Sequence, residues 1–299
     1  MTSFLCNTHA TAIEMKREGE CSRMWDLMKF SDHVAVVDEA GQTYTYGWMQ
    51  EQSDLLVSHA EAGRSLVFCL CENSVGSLTG YVAFVNHHIV PLLLDAHLNR
   101  ELLYSLIETY QPDYLWVPAD MVQEFNYAQA YSAMGYALLK TPYDHVYPLH
   151  PELALLLTTS GSTGSPKLVR QSYANIRANT ESIVEYLELD ETERPITTLP
   201  MSYTYGLSIL NTHLYVGASV ILTQRPLMNR EFWQQFKEYA ATSFGGVPYI
   251  YEMLDKLRFL RMDLPSLRTM TQAGGKLSPE LHKKFAEYAE ATGKHFVVA

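Results

Sequence analysis

No apolar run in this chain of 299 residues approaches the length of about 18 that a membrane-spanning helix needs, so none is expected. Basic residues are scarce, with 22 Lys and Arg against 33 Asp and Glu and a net charge of −11. A nucleic-acid binder needs a basic stripe, and the chain has none. A polyanionic ligand must then be gripped locally, by a loop, rather than drawn in by the overall field. Only four cysteines occur, Cys6, Cys21, Cys69 and Cys71, and their spacing does not suit a metal-ligand set. Cys69 and Cys71 alternate as on one face of a buried strand, and free thiols in a reducing cytoplasm are the simplest account. The first twenty residues lack a basic segment followed by an apolar core, so no secretory signal is expected. There is no internal repeat and no low-complexity tract.

What is present is the balance of a soluble globular protein, 47% apolar and 18% charged. The length exceeds what one core fills, which predicts two α/β subdomains, residues 1–150 and 151–299. Apolar runs and amphipathic stretches alternate along the chain. Strands are expected at 34–37, 66–71, 114–117, 196–199, 219–222, 242–245, 267–271 and 295–298. Helices are expected at 47–62, 74–86, 99–110, 173–187, 229–239 (opened by an Asn229 cap), 248–257 and 279–291. Residues 89–94 look extended, with Pro91 arguing for an edge or irregular strand. Residues 118–151 resist ordering. Such alternation implies layered, mostly parallel sheets flanked by helices, with ligands beyond the carboxyl ends of strands.

The most informative stretch follows the buried apolar run Leu153–Leu157. Thr158 to Ser165 are all Thr, Ser or Gly, and Pro166-Lys167 follow. Small residues leave successive backbone N–H groups uncovered for an anion, and Lys167 adds a mobile positive charge at the rim. A flexible Ser/Gly linker rarely follows directly on a buried strand and ends in Pro-Lys-Leu-Val. The P-loop pattern GxxxxGK[ST] fails as well. Counted from Gly161, its second glycine falls at Pro166, and Lys167 is followed by Leu168. The glycine-bearing stretches Gly245-Gly246 and Ala273-Gly274-Gly275 also follow expected strands, so three such ends can line one crevice.

Thr159, Ser160, Gly161, Ser162, Thr163, Gly164, Ser165, Pro166 and Lys167 together resemble the phosphate-binding motif of the AMP-forming adenylating superfamily. This family includes acyl- and aryl-CoA synthetases, fatty-acid-AMP ligases, peptide-synthetase adenylation domains and luciferases. The similarity runs from about Val34 to the last residue. Thr43-Tyr44-Thr45-Tyr46 is similar to an early Thr-Tyr stretch, and Val90 to Asp95 to a Val-Pro-Leu-Asp strand. Asn86-His87-His88 stand where a glycine usually precedes that strand. Adjacent histidines in a strand face opposite ways, and no third ligand accompanies them, so no metal is expected there. Leu199 to Leu207 resembles the Pro-Leu-x-His-x-x-Gly segment, Gly245 to Tyr249 the Gly-Val-Pro segment, and Thr271 to Pro279 the Gly-Gly-Ala-Pro-Leu segment, with Lys276 replacing a proline.

The resemblance implies that a carboxylate attacks the α-phosphate of ATP to give acyl-AMP, which then passes to the thiol of CoA or of a phosphopantetheinyl carrier protein. It assigns Thr159, Ser160, Gly161, Ser162, Thr163 and Gly164 to the phosphates, and Lys167 with Thr163 to catalysis. Ala273, Gly274, Gly275 and Lys276 fall on the adenine side, and Tyr203, Gly206, Gly246 and Val247 on the acyl pocket. Met201, Ser202, Tyr203 and Thr204 offer no carboxylate for a substrate ammonium, which argues for a fatty, aryl or other plain acid. An amino-acid adenylation domain and a short nucleotide- or partner-binding protein are the alternatives. The Tyr-Gly-x-Thr-Glu motif, whose glutamate holds Mg2+, would begin where the sequence stops. The expectation is therefore an incomplete domain with little ligase activity of its own.

Overall fold

The computed structural model describes residues 23–61, 63–143, 148–158 and 167–298. The first elements are β1 (Val34–Val37), β2 (Thr43–Thr45), helix α1 (Tyr46–Ser58), β3 (Leu66–Cys71) and α2 (Val75–Asn86). Thr45 and Ser74 cap the two helices, accepting from the backbone N–H of Trp48 and Ser77. Next come β4 (Val90–Asp95), α3 (Arg100–Tyr110) and β5 (Tyr114–Pro118). The stretch that resisted ordering holds a short 3-10 turn and the hairpin β6 (Ala128–Ala133) and β7 (Tyr136–Lys140). Strands β8 (Leu153–Thr158) and β9 (Leu168–Ser172) then flank the Thr/Ser/Gly loop. The strand character of β9 was hidden by its polar residues, the exposed Arg170 and the half-exposed Gln171 and Ser172.

These strands build one seven-stranded sheet in the order β6-β7-β5-β3-β4-β8-β9. Contrary to expectation, β4 is central, between β3 and β8, despite Pro91. The Val90 N–H donates to Ser65 O on the β3 side. Alternation then turns the Pro91 nitrogen toward β8, where pairing begins only at Leu92. The missing donor falls just before that ladder starts. The His pair also lies off the strand. His87 caps α2 with its Nε2 3.0 Å from Asp54 Oδ1, and His88 takes a positive φ of 61°.

The rest of the chain forms α4 (Tyr173–Leu187), α5 (Thr204–Val216), β10 (Val220–Ile221), α6 (Arg230–Glu238), β11 (Ser243–Gly246), α7 (Pro248–Lys256), β12 (Thr269–Gln272), α8 (Pro279–Thr292) and β13 (His295–Val298). Asn229 stands at the N-cap of α6, but its side chain makes no capping hydrogen bond. The strand expected at 196–199 shrinks to two bridges, Pro195 to Ser243 and Ile196 to Ile221. Those bridges join the sheet β10-β1-β2 to the parallel sheet β11-β12-β13.

Sheet membership crosses the boundary expected at residue 150. β1 pairs with β10 on one side and β2 on the other, while β8 and β9 complete the seven-stranded sheet. The result is five layers, α-β-α-β-α. Helix α3 covers one face of the large sheet through Leu103, Leu106 and Ile107. Helices α1, α2, α4 and α5 fill the middle through residues such as Met49, Tyr81, Ile176 and Leu210. Helices α6, α7 and α8 cover the outer face of the second sheet through Phe232, Tyr251 and Phe285.

Candidate functional site

Strands β11 and β12 are parallel neighbours in the register Ser243↔Thr269 to Gly246↔Gln272, so their carboxyl ends lie side by side. The Ala273 N–H then donates to Gly246 O at 3.3 Å. Gln272, only 1% exposed, pins the following turn by donating from Nε2 to Ala273 O (3.0 Å) and Gly275 O (2.9 Å). Gly274 has φ +78°, and a Cβ there would lie 2.7 Å from Tyr203 Oη and 3.0 Å from Val247 Cγ1. A glycine is required on both counts. Tyr203, Val247, Ala273, Gly274 and Gly275 are thus brought together at one strand-end crevice.

A cavity of about 460 Å³ opens there and runs back between α4, α5 and the inner face of β11 and β12. Its existence follows from strand alternation. Phe244 and Met270 point into the outer core, leaving Ser243, Gly245, Thr269 and Thr271 as a floor of small side chains. The α5 wall is the helical face Thr204, Tyr205, Ser208, Ile209, Thr212 and His213, and α4 contributes Asn179, Ser182, Ile183 and Tyr186. Several hydroxyls are turned away from the cavity. Ser208 Oγ donates to Tyr205 O (2.8 Å), and Thr212 Oγ1 to Ser208 O (2.9 Å). Tyr205 Oη lies 2.7 Å from Thr271 Oγ1, and burial pushes its pKa up to about 12. No Asp, Glu, Lys or Arg is among the described residues that line it.

The other expected site residues are placed differently. Gly206 sits in the first turn of α5 with Pro200 O where its side chain would be, so it serves close packing rather than the cavity wall. The side-chain direction of Gly246 points to Ile250 and Tyr251; Gly245 lines the cavity instead. Lys276 is exposed and borders a neighbouring hollow with His282 and Lys283. Thr158 and Leu168 are register partners, which sets the exposed Lys167 at the carboxyl end of β8. Thr159, Ser160, Gly161, Ser162, Thr163 and Gly164 lie outside the described residues. Sequence reasoning missed the cavity's walls, although the i, i+4 pattern of α5 and the alternating small residues of β11 and β12 carried the signal.

A family model described as AMP-binding enzyme matches residues 25–297. Among curated proteins, the peroxisomal OPC-8:0-CoA ligase 1 of Arabidopsis thaliana is 34% identical over 141 residues, 46% of this chain and 26% of that enzyme. The D-alanine–D-alanyl carrier protein ligase of Streptococcus equi is 28% identical over 188 residues, 58% of this chain and 36% of that enzyme. These matches span about a quarter to a third of the relatives' length. The O-succinylbenzoate coenzyme A synthetase of Bacillus subtilis, solved in complex with AMP, superposes with a TM-score of 0.72 at 20% identity. That superposition covers 90% of this chain and 57% of the synthetase.

Proposed function

Because the chain belongs to the AMP-binding enzyme family, we propose that it forms part of a ligase that activates a plain carboxylic acid with ATP. The acid's carboxylate attacks the α-phosphate, the bond to pyrophosphate breaks, and acyl-AMP forms. A thiol, of CoA or of a phosphopantetheinyl carrier protein, then displaces AMP to give a thioester. The observation that carries this reading is the uncharged cavity opening at the Gly274 turn. It offers a neutral body room beside a backbone that a nucleotide can approach closely. Joining two anions demands positioning and charge neutralisation above all.

In this reading Thr159 to Gly164 donate hydrogen bonds to the β- and γ-phosphates. Lys167, with Thr163, steadies the leaving pyrophosphate. Ala273, Gly274 and Gly275 take the adenine side, with Lys276 at its rim. Tyr203 and Val247 guard the mouth of the acid chamber. Among the described residues no three His, Cys, Asp or Glu side chains converge as a metal site, so Mg2+ is assigned no ligand and no step here. Among those residues no helix is long and apolar enough to cross a membrane, and the expected cytoplasmic location remains part of the proposal.

An amino-acid substrate is disfavoured because its ammonium would meet no carboxylate in the cavity. Pyrophosphate exchange by the full-length protein against a panel of acids tests the reading. Exchange driven by fatty or aryl acids is expected; preferential exchange with an α-amino acid would overturn it.

A further inference from the structure

Resting on the acid-ligase reading, we propose that the deep end of the chamber recognises a hydroxyl group on the far end of the acid, through His213 Nε2 and Ser243 Oγ. Chain direction puts these two residues at the same end. Helix α5 starts beside the mouth at Tyr203, and His213 lies nine residues beyond Thr204, about 14 Å along the helix axis. Strand β11 runs the opposite way, from Ser243 to Gly246 at the mouth.

Both residues line the chamber, and both are almost wholly buried, His213 at 4% and Ser243 at 7% exposed. The His213 Nδ1 lies 2.7 Å from Ile209 O. A carbonyl only accepts, so Nδ1 carries the proton and Nε2 is a bare acceptor. Among the described residues that Nε2 has no hydrogen-bond partner, and neither has Ser243 Oγ. Buried polar atoms are normally paired, so these two orphans at the deep end, apart from Gln272 Oε1 at the mouth, mark a place where a ligand supplies the partner. Ser208 and Thr212, by contrast, spend their hydroxyl protons on helix carbonyls and have no donor left to offer.

The two orphans define the group they accept. Nε2 requires a donor, and a serine hydroxyl both gives and takes. A ketone or a second carboxylate gives nothing to Nε2. An ammonium would arrive in an uncharged lining without a counter-ion. A hydroxyl satisfies either atom at no cost in charge.

The test uses the full-length protein and pairs of acids that differ only in a terminal hydroxyl: 3-(4-hydroxyphenyl)propanoic against 3-phenylpropanoic acid, and 8-hydroxyoctanoic against octanoic acid. Calorimetry is expected to find the hydroxylated member of at least one pair roughly ten-fold tighter. Ser243→Ala and His213→Leu, each checked for its melting temperature, are expected to erase that preference by bringing the hydroxylated acid down to the affinity of its plain partner. Plain acids that bind as well as or better than their hydroxylated partners would overturn the inference and leave the acid chamber standing, as would a preference that survives both substitutions. Failure of every acid to bind, with ATP binding intact, would overturn the chamber reading and this inference with it.

Discussion

Buried as it is, His213 sets an acid limit on the molecule. Burial is the main cause that holds its pKa down at about 4, with the hydrogen bond to Ile209 O opposing. The free imidazole titrates near 6.5, so as the pH falls the unfolded chain takes up this proton first. The stability at stake is fully present above pH 6.5, drains away as the pH drops toward 4, and levels off below. A shift of this size corresponds to about 3 kcal/mol at the acid end. Urea midpoints between pH 7 and 4.5 should fall more steeply for the parent protein than for His213→Gln. Parallel profiles would show that another group controls the acid limb.

The chamber at the level of elements is a contest between two helices and two strands, and Gly245 decides how much space is left. A Cβ at Gly245 would lie 2.5 Å from Ile209 Cδ1 and 2.9 Å from Tyr205 Oη. Gly245→Ala is expected to raise the KM for the acid several-fold while leaving the KM for ATP unchanged, with a stability cost of about 1–3 kcal/mol from overpacking. Equal rises in both constants would mean that the change acts through the fold. Much of this level was legible from sequence. Continuous apolar runs gave β3 and β5, and the helical spacing of apolar residues gave α3. What was not legible depends on neighbours. Pro91 argued against a central strand because its tolerance there hangs on where β8 begins to pair. The hairpin β6–β7 was hidden because β6 is mostly exposed and carries little apolar pattern. Gly246 was preferred to Gly245 because sequence does not tell which glycine faces the helices.

Asn73 spans the whole molecule. It follows β3 of the large sheet, and its Nδ2 donates to Leu199 O (3.1 Å) and Thr223 O (3.4 Å) while its Oδ1 accepts from the Met201 N–H (3.1 Å). One side chain thus fastens the first sheet to the segments leading into α5 and out of β10. Asn73→Ala should cost about 2–3 kcal/mol by leaving these groups unpaired, read as a lower denaturation midpoint. Asn73→Asp, which keeps the acceptor, should recover part of it. An alanine variant as stable as the parent would show that packing alone joins the halves.

The chamber's roof and floor have different loyalties. Helices α4 and α5 are anchored by Ile176, Leu207 and Leu210 to the core of the large sheet, whereas β11 and β12 are anchored by Phe244 and Met270 to the outer core. A guest lodged between them therefore acts as mortar. By reciprocity, whatever tightness the two cores confer on the guest, the guest returns to the cohesion of the cores.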